Sequence, residues 1–205
     1  MLAFGAHADD IEIGCGGTLL TLMGSRGVEV TWVVFGGAEE ERAREARASA
    51  DAFLAGSARA QVVIGEFRDA YMPSAGAPIK EFVEGLADAC DPDLIFTHQR
   101  NDLHQDHRLI CELTWNAFRD HLILEYEVPK WDGDMGAPGL FVPLSAAAAR
   151  TKVELLMAHF GSQRSKDWFS AELFEGLMRI RAMECRAPDG AAEAFYSRKL
   201  TLDLN

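Results

Sequence analysis

Two clusters of histidine and aspartate, about a hundred residues apart, carry the clearest chemical potential in this chain. The first occupies residues 6–10 (AHADD) and the second occupies residues 98–107 (HQRNDLHQDH). Imidazole and carboxylate groups are ligands of catalytic zinc-type centres, in which three protein groups hold the ion and water takes the fourth position. Together the clusters predict an open metal site with a base beside it, and therefore a hydrolase.

The first cluster offers two ligands and one spare carboxylate. His7 and Asp10 are three residues apart, on a predicted loop that runs through the glycines of residues 14–17 before a helix begins. Glycine would leave this backbone free to fold tightly around an ion. Asp9 points elsewhere than Asp10, so it is the candidate general base, able to take a proton from an activated water.

The second cluster places His104 and His107 at i, i+3 on one face of a predicted helix start. One histidine can complete the metal set while the other faces the substrate. We expect the Asp106 carboxylate to bond to His104, fix its tautomer and favour its charged form, which suits oxyanion stabilisation or protonation of a leaving group. A closed structural site made of both histidines with His7 and Asp10 is the alternative, and the spare carboxylate of the first cluster argues against it.

Three other polar residues of the second cluster have simpler interpretations. His98 follows an apolar run, and strand-end histidines often bond only to backbone, although a substrate contact stays open. Asn101 and Asp102 are interpreted as turn and helix-capping residues.

Composition limits the classes of protein that fit. The chain has 205 residues, 48% hydrophobic and 25% charged, which predicts one globular domain over residues 1–205. A net charge of -12 without a basic cluster makes nucleic acid an unsuitable partner. Four scattered cysteines indicate reduced thiols, and with no leader or apolar run of spanning length the sequence predicts a cytoplasmic protein without a membrane span.

Short apolar runs alternate with longer segments of helical period, which predicts an α/β fold with a Rossmann-like, mostly parallel sheet flanked by helices. The predicted strands are residues 2–6, 28–35, 61–65, 94–97, 123–128 and 140–143, and the predicted helices are residues 18–26, 39–54, 79–89, 106–119, 145–159 and 167–183. Both clusters begin where a predicted strand stops, so they converge if those two strands are neighbours. The loop of residues 129–138 is interpreted either as a surface loop near the site or as an exposed connection without a role.

The two clusters carry a resemblance to a known family. Residues 6–10 resemble the Ala-His-Pro-Asp-Asp motif of the PIG-L/LmbE-like metal-dependent N-deacetylases, residues 14–17 (GCGG) their Gly-Cys-Gly-Gly motif, and residues 104–107 (HQDH) their His-x-Asp-His motif. Residues 162–163 and 192–195 also resemble stretches of the polysaccharide-associated branch. One departure is Ala8 in place of the motif proline, which predicts a looser ligand loop with the ligating atoms intact.

The resemblance implies a role for each matching residue. It implies His7, Asp10 and His107 as metal ligands, Asp9 as general base, His104 as electrophile or acid with Asp106 as its partner, and Arg42 and Asp69 as residues lining a sugar pocket. Arg42 has an alternative as half of a surface pair with Glu45 or Glu39, and Asp69 as a turn residue before Pro73.

The resulting hypothesis is removal of the N-acetyl group from an N-acetylglucosamine-type sugar or sugar conjugate by a metal-activated water, with Zn²⁺ as the metal and Fe²⁺ or another divalent ion as the alternative. The resemblance is compatible with a homo-oligomer. Two rival classes stay open: a metal-containing sugar-binding protein without turnover, and a Rossmann-type nucleotide-binding module that uses residues 14–17 as a phosphate cradle.

Overall fold

The computed structural model describes residues 1–24 and 27–201. In chain order the elements are β1 (Leu2–Gly5), α1 (Asp10–Met23), β2 (Glu29–Gly36), α2 (Glu40–Phe53), β3 (Arg59–Phe67), α3 (Gly76–Ala89), β4 (Leu94–His98), α4 (Gln105–Ala117), β5 (Leu122–Tyr126), β6 (Leu140–Leu144), α5 (Ala146–His159), α6 (Ala171–Cys185) and β7 (Ala191–Tyr196). Within the described ranges, no helix is long and apolar enough to cross a bilayer.

The strands form one sheet in the order β3-β2-β1-β4-β5-β7-β6. Strands β1 to β5 pair in parallel, and β7 pairs antiparallel with both β5 and β6. The predicted mostly parallel α/β fold is confirmed. So is the adjacency of the two strands that precede the His/Asp clusters, since Leu2 of β1 pairs with Ile95 of β4. Chain order reverses between these two strands, which is where open α/β sheets bind ligands.

The sheet separates two hydrophobic clusters. Successive side chains of a strand point to opposite faces, so Leu2 and Phe4 of β1 enter one cluster while Ala3 enters the other. The first cluster is completed by residues of α3 and α4, and the second by residues of α1, α2, α5 and α6. This layering fixes β1 and β4 at the centre of the molecule, so the loops that follow them are held by a rigid scaffold.

Helix α1 starts at Asp10, eight residues before the predicted start at Thr18. The predicted loop glycines therefore lie inside a helix. A Cβ on Gly14 would lie 2.0 Å from the Tyr126 ring, and one on Gly17 would lie 2.4 Å from Leu144. Glycine serves close packing here, not a flexible turn. The predicted end of this helix, Arg26, lies outside the described residues.

Strand β7 was not predicted, because its alanine-rich sequence with a central glutamate lacks a strand pattern. The structure explains Glu193. Its carboxylate accepts hydrogen bonds from the backbone N–H groups of Gly17 and Thr18 and from Lys152 Nζ, all buried. The ion pair with Lys152 joins β7 to α5, and the two backbone hydrogen bonds join β7 to α1.

Candidate active site

A cavity of about 390 Å³ lies at the carboxyl ends of β1 and β4, within the usual size of small-molecule sites, about 300–1,000 Å³. Both His/Asp clusters contribute to its wall. Of the residues predicted for the site, His7, Asp9, Asp10, Arg42, Asp69, His104 and His107 line it, and Asp106 does not. Seven of the eight thus form the cavity wall, and Asp106 lies behind it in contact with His7.

The three predicted metal ligands present donor atoms at the corners of a nearly equilateral triangle. His7 Nδ1 lies 3.1 Å from His107 Nε2 and 3.3 Å from Asp10 Oδ2, and the last two atoms are 3.4 Å apart. Ligands about 2.0–2.1 Å from a tetrahedral zinc ion are separated from one another by about 3.3 Å. The spacing and chemistry of these three groups therefore fit a small divalent cation.

Each of the two predicted histidine ligands has a carboxylate on its other ring nitrogen. Asp106 Oδ2 lies 3.0 Å from His7 Nε2, and Asp102 Oδ2 lies 2.9 Å from His107 Nδ1. Such carboxylates fix the tautomer and ring orientation of metal-ligating histidines. Asp106 is held in turn by the backbone N–H groups of Ala70 and Met72.

These contacts correct two predictions. The Asp106 carboxylate was expected to bond to His104, but it bonds to His7, and only the Asp106 backbone N–H reaches His104 Nδ1. Asp102 was expected only to turn the chain or cap a helix. It does accept the His104 backbone N–H, but it is fully buried and also positions His107. Both aspartates are positioning residues in this geometry.

The carboxylates in and beside the triangle favour positive charge on His7, whereas His107 is neutral. Burial lowers the pKa of His7, but the carboxylates of Asp10 and Asp106 outweigh it and raise that pKa to about 10. Burial would raise the pKa of Asp10, but the surrounding histidines hold it well below its usual value. Burial, together with the neighbouring His98, lowers the pKa of His107 to about 3, so the ring is neutral. Its Nδ1 faces the Asp102 carboxylate and keeps the proton, which leaves Nε2 available as a ligand.

Two further histidines come close enough to be considered as ligands, since His104 groups with His7 and His107, and His98 groups with Asp10 and His107. His98 Nε2 accepts the backbone N–H of Ala6 at 2.9 Å, so its lone pair is already used. Its ring stacks on His107 and does not line the cavity, which agrees with the expectation of a backbone contact.

Asp9 has one oxygen engaged and one free. Oδ1 accepts a hydrogen bond from Arg42 at 2.8 Å, whereas Oδ2 is buried and finds no hydrogen-bond partner in residues 1–24 or 27–201. Burial raises the pKa of Asp9, Arg42 opposes this, and the net pKa is above the usual value. A buried carboxylate oxygen without a partner beside a ligand triangle is suited to accept a proton.

Arg42 lines the cavity, pairs with Glu45 and adds a contact with Asp9 that was not predicted. It lines the cavity as expected, but its guanidinium bonds to Asp9 and also to Glu45 Oε2 at 3.1 Å. Glu45 accepts hydrogen bonds from the backbone N–H and the hydroxyl of Ser162. Ser162 belongs to the stretch 162–163, to which the sequence assigned no role. The pairing with Glu45 that the sequence offered as an alternative is present, but it is buried and is not a surface pair.

His104 stands at the start of α4, where its Nδ1 accepts the backbone N–H of Asp106 at 3.3 Å. That bond places the proton of a neutral ring on Nε2. Burial and the nearby His7 lower the pKa of His104, which also favours the neutral form. The cavity wall therefore carries a neutral imidazole with one N–H donor, not the charged imidazolium that pairing with Asp106 would have favoured.

The loop of residues 129–138 contributes Lys130, Trp131 and Asp132 to the cavity. Of the two interpretations of this loop, the one that places it beside the site agrees with the structure. Lys166 and Trp168 complete the same side of the wall and carried no signal in the sequence, because they follow α5 with no motif around them. Asp69 lies in the wall, and burial raises its pKa.

The structure removes the basis for a phosphate cradle at residues 14–17. Those residues are inside α1, and the N–H groups of Gly17 and Thr18 are bonded to the Glu193 carboxylate. A phosphate at this position would meet a buried anion.

Fold and site together define a Rossmann-like α/β protein with a His/Asp cluster that could hold a metal ion at the switch point of its sheet. The profile of the PIG-L family, described as GlcNAc-PI de-N-acetylase, matches residues 2–118. The chain belongs to this family. The matched segment contains both His/Asp clusters and ends just after α4. No curated protein matches the chain.

Solved structures with the same fold cover nearly the whole chain. GalB, the 4-carboxy-2-hydroxymuconate hydratase of Pseudomonas putida KT2440, has a TM-score of 0.76 at 17% identity, covering 100% of this chain and 98% of that chain. The zinc-inhibited form of teicoplanin deacetylase Orf2 has a TM-score of 0.75 at 14% identity, covering 96% of each chain. The N,N'-diacetylchitobiose deacetylase of Pyrococcus horikoshii has a TM-score of 0.69 at 18% identity, covering 96% of this chain and 82% of that chain. At these identities the likeness establishes the fold.

Proposed function

We propose that this protein is a metal-dependent N-deacetylase that hydrolyses the acetamide of an N-acetylglucosamine-type sugar or sugar conjugate, with residues 1–205 as a single catalytic domain. The observation that carries the proposal is the ligand triangle of His7, Asp10 and His107 with the free Asp9 oxygen in the same cavity. Membership of a family described as de-N-acetylases supports the reaction type, and a structural neighbour that deacetylates N,N'-diacetylchitobiose supports the sugar.

His7, Asp10 and His107 would hold the metal, with zinc as the first choice and ferrous iron as the second. A divalent ion at this position would act as a Lewis acid and lower the pKa of water. Three protein ligands would leave one position open for such a water. The neighbour described as zinc-inhibited is a reason to test both metals over a range of concentrations.

The side chains around the triangle supply the proton transfers. Asp9 Oδ2 takes a proton from water as the water oxygen attacks the acetyl carbonyl carbon. The Nε2–H group of His104 donates a hydrogen bond to the carbonyl oxygen as negative charge develops there. Asp9 then returns the proton to the leaving nitrogen as the C–N bond breaks. The products are acetate and a free amino sugar.

Acetate release tests this function most directly. Protein of measured metal content is incubated with a panel of N-acetyl sugars and conjugates, beside an Asp9→Asn variant and a Glu40→Gln control that removes an exposed carboxylate at the start of α2. The proposal predicts activity in the wild type and the control, and a loss of about 10²–10⁴-fold in Asp9→Asn. Bound metal without acetate release from any substrate would favour a sugar-binding protein without turnover. Nucleotide binding without metal would favour a nucleotide-binding module.

Hydration is a second reaction that this fold supports, since one neighbour is a hydratase. It would use the same proton acceptor but would need no proton for a leaving amine. The family match favours deacetylation. A wild-type enzyme that adds water to a conjugated acid and releases no acetate would favour hydration over deacetylation.

A further inference from the structure

Two tryptophans stand together on one side of the cavity. Trp131 comes from the loop of residues 129–138 and Trp168 from the segment before α6, and their rings meet edge to face with centroids 6.2 Å apart. Trp131 is 70% exposed, and Trp168 packs against the buried Phe169. We propose that this pair, the aromatic ledge, binds a second sugar ring linked to the N-acetyl sugar, so that the substrate is a glycan of at least two units. This inference rests on the proposed deacetylase function.

The exposure of Trp131 needs an explanation because its ring is a large apolar surface left in water. Apolar surface beside a cavity that also holds convergent polar groups marks a ligand site. The ring is not loose, since its Nε1 donates a hydrogen bond to Asp167 Oδ1 at 3.1 Å. The ledge is therefore held in place before a ligand arrives, which reduces the entropy lost on binding.

The loop that carries Trp131 is anchored to the ligand site itself. Lys130 Nζ bonds to Asp134 at 2.6 Å and to Asp102, the carboxylate that positions His107, at 2.9 Å. Asp134 also accepts hydrogen bonds from Gln99 Nε2 and the Leu103 backbone. A ligand that spans the ledge and the triangle would thus bind two surfaces that the fold keeps in fixed register.

The chemistry around the ledge suits a sugar ring. A pyranose has an apolar face of C–H groups and a rim of hydroxyls, so it needs an aromatic plane flanked by polar side chains. Lys166 Nζ lies 5.6 Å from the Trp168 ring centroid, and Asp132 and Gln163 line the same cavity. A lipid chain would bury these polar groups without partners.

The test compares an N-acetylglucosamine disaccharide with the methyl glycoside of the monosaccharide, in the wild type, Trp131→Ala, Trp168→Ala and Met183→Ala. Met183 is a control because it is a large exposed side chain on α6, outside the cavity wall. We expect the disaccharide-to-monosaccharide ratio of kcat/KM to fall about tenfold in each tryptophan variant, mainly through KM, and to stay at the wild-type value in the control. A ratio unchanged in both tryptophan variants would overturn the ledge while leaving the deacetylase function intact.

A binding measurement separates failure of the ledge from failure of the deacetylase proposal. The affinity for the disaccharide is measured by calorimetry in an Asp9→Asn background, with and without Trp131→Ala, so that turnover plays no part. A tenfold weaker affinity in the double variant supports the ledge even where the wild type releases no acetate, and equal affinities contradict it. A 4-nitrophenyl glycoside is the third ligand: if its affinity falls and that of the disaccharide does not, the ledge binds an aromatic aglycone and the sugar proposal is wrong.

Discussion

Replacing Asp102 by asparagine should weaken metal binding without touching a ligand atom. In the structure Asp102 Oδ2 accepts from His107 Nδ1 at 2.9 Å, while Oδ1 accepts from the His104 backbone at 2.8 Å and contacts Lys130 Nζ at 2.9 Å. Both carboxylate oxygens thus face donors. An asparagine has one acceptor and one NH₂ group, so either orientation sets a donor against a donor.

The size of the effect follows from the bond that is lost. A hydrogen bond to a charged group contributes about 1.5–3 kcal/mol, and every 1.4 kcal/mol corresponds to about tenfold in affinity. The expected loss is about 10–100-fold in metal affinity, the range seen when partners of metal-ligating histidines are removed.

The assay is competition for zinc against a chelator of known affinity at fixed pH. Urea unfolding of the metal-free variants is measured alongside, so that a change of fold is recognised. Asp134→Asn is the matched control, because it removes the same charge from Lys130 without contacting His107. Zinc affinity at the wild-type level in Asp102→Asn, or an equal loss in Asp134→Asn, would refute the reasoning.

Four other substitutions have defined outcomes. Arg42→Gln removes a positive charge that lowers the pKa of Asp9, so that pKa should rise. Because the base must be deprotonated, the acidic limb of the pH profile of kcat/KM should move to higher pH. An acidic limb that does not move would exclude Asp9 as the titrating base. Glu193→Ala leaves a buried lysine without its partner and should lower the free energy of unfolding by about 3–5 kcal/mol in urea titrations, and a loss below about 1 kcal/mol would show the pair to be unimportant. Gly14→Ala forces a Cβ into a buried tyrosine ring and should cost about 1–3 kcal/mol. Gly85→Ala, a helical glycine with no atom near its Cβ, should gain about 0.5–1 kcal/mol by the same assay, and equal effects at the two glycines would contradict the packing argument.

The sequence predicted that these candidate site residues lie together because their signal is local, whereas the choice of His107 over His104 as a metal ligand came from the family resemblance. His7, Asp9 and Asp10 follow a strand within a few residues, and the i, i+3 spacing of His104 and His107 places them on one helix turn. The alternation of short apolar runs with helical segments predicted the mostly parallel sheet. The neighbouring positions of β1 and β4 in that sheet bring the two clusters together.

The carboxylates that support the ligands could not be assigned in the same way. Asp102 and Asp106 belong to one short segment, and which histidine each contacts depends on ring directions that spacing does not fix. The glycines of α1 were misread for a related reason. Gly14 is needed because Tyr126, more than a hundred residues away, packs on it. Trp168 reaches the cavity through the tertiary fold alone.

Coordination of the metal tests the central claim most directly. A crystal structure of the zinc-loaded protein, with anomalous diffraction at the zinc edge, should place one ion on His7 Nδ1, Asp10 Oδ2 and His107 Nε2, with water as the remaining ligand and Asp9 Oδ2 beside that water. An ion that also binds His104 would be closed to water. Such a site, or an ion bound away from this triangle, would contradict the account.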